Sequence, residues 1–136
     1  MNTPMKKLLI FGLCGGLGDI LIDTTASDDV YQHARRLKIL SDRAIKTAHV
    51  KLTPNMLKRI WSKIADVYTP GTDVDTVEVL SLCILGLMDL QHHSGPGTPV
   101  DSLLAHVMYF TKQFDPELQD EEKHSAATRK YLEWLE

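Results

Sequence analysis

Apolar positions recur along most of this chain in alternating three- and four-residue steps, the spacing that gathers them into one stripe on a helix. Val30, Ala34, Leu37, Leu40, Ala44, Ile45 and Ala48 form such a stripe and predict a helix over residues 28–50. Leu57, Ile60, Trp61, Ile64 and Val67 predict a second over 54–68, closed by Thr69-Pro70-Gly71. Residues 75–92 are apolar nearly all round, from Val77, Val79 and Leu80 through Leu82, Cys83, Ile84, Leu85, Leu87, Met88 and Leu90, which predicts a central buried helix. The turn Ser94-Gly95-Pro96-Gly97 ends it. Leu103, Leu104, Val107, Met108 and Phe114 mark a fourth helix over 99–114. A fifth starts at Pro116, is polar and solvated in its early turns, and turns apolar at Tyr131, Leu132, Trp134 and Leu135.

Three of these starts carry a capping residue followed by proline: Thr53-Pro54, Thr98-Pro99 and Asp115-Pro116. Proline suits the first helical turn because its missing N–H would be unpaired there, and the preceding oxygen accepts one of the orphan N–H groups. Residues 6–23 are harder to assign. Leu8–Leu13 and Ile20–Ile22 read as two short strands hinged at Gly15-Gly16, or as a helix weakened by glycines that each cost about 1 kcal/mol relative to alanine. An irregular or extended arm over residues 1–25, packed on the bundle, is the expectation. The fold class is then all-α: a single-domain bundle of about five helices over 28–136 around the central helix 75–92.

Composition supports an ordered globule, with 43% hydrophobic and 24% charged residues in 136. Cys14 and Cys83 have neither the number nor the spacing of a disulfide framework or zinc site, so a cytoplasmic protein is expected. Lys6-Lys7 followed by the apolar run to Cys14 imitates a secretory signal, but the run is short and diluted by glycine. No stretch reaches the roughly 20 apolar residues of a membrane span, and no membrane partner is expected.

Charge changes the picture more than composition does. Nine of the fifteen Lys and Arg residues lie between Tyr31 and Lys63, where Asp42 is the only acid, a formal +8 in a chain whose net charge is −3. Clustered charge creates a local potential that net charge conceals. On a helical projection Arg35, Arg36, Lys38, Arg43 and Lys46 fall opposite the first apolar stripe. Asn55, Lys58, Arg59 and Lys63 fall opposite the second.

Other chemistry is weaker. The run Gly12 to Asp19 lacks both the lysine of a phosphate loop and a following βαβ unit, so its glycines suit turns or close packing. Asp89 and His93 stand four residues apart beside His92, a pair able to share a proton but without a third metal ligand at diagnostic spacing. No serine or cysteine sits in a nucleophile motif. Asp120, Glu121 and Glu122 suit the start of a helix dipole. No catalytic residue, metal or cofactor is expected.

The residues point first to a non-catalytic regulatory or adaptor protein that binds an acidic protein surface through the basic outer face of 35–63, with the Trp134 end as an apolar anchor. A DNA- or RNA-binding regulator built on a helix-turn-helix-like pair, 28–50 and 54–68, is the second reading. A small helical enzyme with a site near His92 and His93 is the third. Oligomeric state is not encoded in any of these features.

Overall fold

The structure, a computed structural model, describes residues 1–68, 75–94, 97–112 and 121–135. Within them lie six helices: α1 (Thr3–Thr24), α2 (Asp28–Ala48), α3 (Pro54–Val67), α4 (Thr76–Ser94), α5 (Thr98–Thr111) and α6 (Glu121–Leu135). The expected arm is instead α1, a full helix, so the count is six. The start Asp115-Pro116 lies outside the described residues.

Helix α1 exists despite its glycines because neighbours need the space they leave. Asn2 caps it, its Oδ1 accepting from Met5 N–H at 2.9 Å, and Pro4 sits in the first turn. The helix is then apolar on almost every side, with Met5, Leu9, Ile10, Phe11, Leu13, Cys14 and Leu17 all buried. A Cβ added at Gly18 would stand 2.8 Å from the Ala34 carbonyl oxygen and 3.2 Å from the Lys38 nitrogen, so α1 meets α2 backbone to backbone. At Gly16 the place of a side chain is taken by the Tyr68 ring, whose hydroxyl donates to the Leu13 carbonyl at 2.6 Å. The packing gained along this face outweighs the helix propensity lost.

Four helices close a ring in the order α1, α2, α5, α4, each antiparallel to both neighbours. The directions follow from the contacts. Gly18 meets Ala34 and Gly15 meets Ser41 between α1 and α2, Ile10 meets Gly86 and Lys6 meets Asp89 between α1 and α4, and His33 meets His106 between α2 and α5. Gln91 donates to Asp101 at 2.7 Å across α4 and α5. Helix α3 lies outside the ring, parallel to α1, with Ile64 against Gly12 and Tyr68 against Gly16. Helix α6 lies against α4 and returns to the start of the chain, where the Met1 ammonium donates to the Leu135 carbonyl at 2.7 Å.

The core is one apolar cluster to which α1 and α4 contribute most, so the expected central helix shares that role. Cys14 of α1 and Cys83 of α4 are both free thiols within it. A hydrogen bond to Cys14 together with burial pushes the Cys83 thiol well above its ordinary value, which keeps it unreactive. Four residues of the predicted apolar stripes are outside: Trp61, Met88, Met108 and Leu132 are each more than half exposed. The helix α5 start is shifted, its N-cap being Gly97 and not Thr98.

Two substitutions one turn apart on α1 test the backbone contact. A Cβ at Gly15 would meet only the Ser41 side chain, its Cβ at 3.4 Å and its Oγ at 3.9 Å. Gly15→Ala is therefore expected to be neutral or to stabilise by up to about 1 kcal/mol through helix propensity. Gly18→Ala must push two backbones apart and should cost at least about 2 kcal/mol. Urea unfolding of both variants reads the difference, and equal effects would contradict the close approach.

Candidate basic interface on helices α2 and α5

Helix α2 is held by Ser27 at its N-cap and by a left-handed C-cap at His49, φ 47°. Ala34, Leu37, Leu40, Ser41 and Ala44 are buried, and the polar residues opposite them face water as the sequence pattern expects. Arg35, Arg36, Arg43 and Lys46 are exposed and pair with no described carboxylate. Ile39 stands among them, 40% exposed, one helical turn from Arg35, Arg36 and Arg43 and two from Lys46. Lys38 is different. Its ammonium lies 3.0 Å from Asp19 and 3.4 Å from Asp42, and the hydrogen bond to Asp19 raises its pKa, so this cation is already used inside the molecule.

Two depressions flank the stripe. One of about 250 Å³ is lined by Gln32, Arg35, Arg36 and Ile39. The other, about 440 Å³, lies between α2 and α5 and is lined by Leu40, Arg43, Thr47, Pro99 and Ser102.

The basic residues of α3 stand on a helix that packs on α1 and not on α2. Asn55, Lys58 and Arg59 are exposed and Lys63 half-buried, without described ion pairs. Helices α2 and α3 both lean on α1 and scarcely touch each other. A helix-turn-helix packs its two helices together, and this pair does not. The neighbour of α2 on its exposed side is α5, which the sequence places far away.

That neighbour adds ring chemistry. The His106 Nε2–H donates to the His33 carbonyl at 3.0 Å, tying α5 to α2. The His33 ring stacks on Phe110 with centroids 5.2 Å apart and lies 5.5 Å from His106 and 5.3 Å from Tyr109. Tyr109 is 56% exposed, and the Lys112 ammonium sits 5.7 Å from its ring centroid. Burial holds the His106 imidazole below its ordinary value, with the charges of His33 and Arg36 adding to the effect against the pull of the hydrogen bond to His33. The fold therefore prefers neutral His106. The stability this gives is complete above the ordinary value near 6.5 and is lost as pH falls through the depressed one.

The Asp89 cluster lies elsewhere, at the end of α4. Its Oδ2 accepts from the Tyr131 hydroxyl at 2.6 Å and from Lys6 at 3.1 Å, and its Oδ1 lies 2.7 Å from His93 Nδ1. Burial pushes the carboxyl up, but the bonds from Tyr131 and Lys6 and the charges of Lys6 and His93 outweigh it and hold it below the usual carboxylate range. Among the described residues no group of three metal-ligating side chains occurs. The cluster joins α1, α4 and α6, and its chemistry is that of a tie between helices. Trp134, expected as an outward anchor, is buried one turn beyond Tyr131 and serves the same junction.

No protein family, curated protein or solved structure matches this chain. No helix among the described residues is long and apolar enough to cross a membrane.

Asp89→Asn should cost about 2 kcal/mol, since Lys6 and Tyr131 keep their donors but lose a charged acceptor. The sign of its pH dependence is set by the depressed carboxyl. Wild-type stability falls as pH drops below about 4, and the variant should lose much of that acid limb. Thermal unfolding at a series of pH values reads both.

Proposed function

We propose that this protein is a non-catalytic adaptor or regulator that docks an acidic protein partner on the outward face of α2. The observation that carries the reading is Ile39, an exposed aliphatic side chain in the middle of four cations that the fold leaves unpaired among its described residues. An apolar centre with a charged rim is the anatomy of a protein interface. A nucleic-acid backbone would use the cations and gain nothing from the isoleucine. The flanking depressions offer places for partner side chains, one against Arg36 and one beside Arg43.

Fluorescence anisotropy with two probes separates the partner classes: a short helical peptide with glutamates around one leucine, and a short DNA duplex. The peptide is expected to bind, Arg35→Glu with Arg43→Glu to weaken it by about tenfold or more, and Ile39→Ala by about fivefold, the worth of about 1 kcal/mol of apolar contact. Tighter binding of the duplex, unaffected by Ile39→Ala, would replace this reading with the nucleic-acid one.

A further inference from the structure

We propose that the α2–α5 seam makes this docking face acid-sensitive, so that an acidic partner is held more tightly as His33 and His106 take up protons. The inference rests on the docking reading above and adds its regulation.

The two imidazoles lie side by side at the edge of the face. Their rings are 5.5 Å apart, both residues are half-buried, and Arg36 acts on His106 through its charge. The charged and titratable groups around them on the two helices are Asp29 one turn before His33, Arg36 one turn after it, Tyr109, and Lys112 beyond Tyr109. Helix α1 meets α2 along Ala34, Lys38 and Ser41, and α4 meets α5 at Asp101, so the other ring helices approach away from the pair. Asp29 is the one described carboxylate of the set, against two fixed cations.

In the free protein a proton added to His106 therefore meets Arg36, and with both rings charged each imidazolium faces the other 5.5 Å away. A docked carboxylate changes the balance. It offsets Arg36 and turns the new imidazolium charges from a repulsion into an attraction. Coupling of this kind is reciprocal: if the partner favours protonation, protonation must favour the partner by the same factor. Histidine is the side chain whose ordinary titration falls in the range that matters, while the partner's carboxylates stay ionised well below it.

The test uses the whole chain and the same glutamate–leucine peptide, at constant ionic strength. Between about pH 7.5 and pH 5.5 the wild-type affinity should rise about five- to tenfold, the scale of roughly half a proton taken up on binding on average over that interval. His33→Phe keeps a ring to stack on Phe110, and His106→Gln keeps an N–H donor for the His33 carbonyl. Together they should flatten the profile while leaving binding at about pH 7.5 within about twofold, and His92→Gln on α4 should change nothing. Histidine resonances followed by NMR provide a readout independent of folding of the variants, since peptide binding must raise the titration midpoints of His33 and His106. Binding that is equally tight at both pH values, with unmoved midpoints, overturns the proton coupling and leaves the docking reading standing. Absence of peptide binding even at the lower pH overturns both.

Discussion

The close approach of α1 and α2 at Gly18 governs the arrangement of everything else. With no Cβ at that position, the two backbones come within van der Waals distance, and Ala34 and Ser41 on α2 are small enough to keep them there. Such contact gathers dispersion over the whole length of two long helices. It also fixes the rotation of α2 about its own axis. Once Ala34, Leu37, Ser41 and Ala44 are committed inward, Arg35, Ile39, Arg43 and Lys46 have to face water, so the exposed stripe is a mechanical result of the buried one.

Much of the fold was legible because periodicity and caps report local constraints. The helices α2, α3 and α4 begin and end within two residues of where their stripes and turn residues put them. Helix α1 was misread because glycine propensity was weighed without the partner that uses the missing side chains, and that partner is a tertiary fact. A signal was present all the same. Asn2-Thr3-Pro4 is the same kind of opening as Thr53-Pro54, a capping side chain just ahead of a proline, and the structure shows Asn2 capping α1. Trp61 was counted with the core because it falls near the stripe of α3. That helix lies outside the four-helix ring, touches mainly α1, and buries a narrower face than a ring helix would.

The basic residues were legible one by one, but their grouping was not. Sequence neighbours suggest a surface shared by α2 and α3, whereas the ring puts α5 beside α2, and α3 packs on α1 with little contact to α2. His106, Tyr109 and Lys112 could not have been joined to His33 and Arg36 from spacing alone, since His106 lies 73 residues beyond His33 in the chain. Lys38 shows the opposite limit. It looked equivalent to its neighbours, yet Asp19, on the helix read as an irregular arm, neutralises it. The same dependence on distant partners turns Trp134 from a possible anchor into a buried part of the α4–α6 junction.

The proposed docking face requires that the fold itself have no use for the outward cations of α2. Equilibrium unfolding of a variant carrying Arg35→Gln, Arg36→Gln, Arg43→Gln and Lys46→Gln measures this directly. If those charges are held in reserve for another molecule, stability should stay within about 1 kcal/mol of wild type, or rise as like-charge repulsion is relieved. A loss of about 3 kcal/mol or more would mean that the protein's own carboxylates hold these side chains, and the docking surface would not exist.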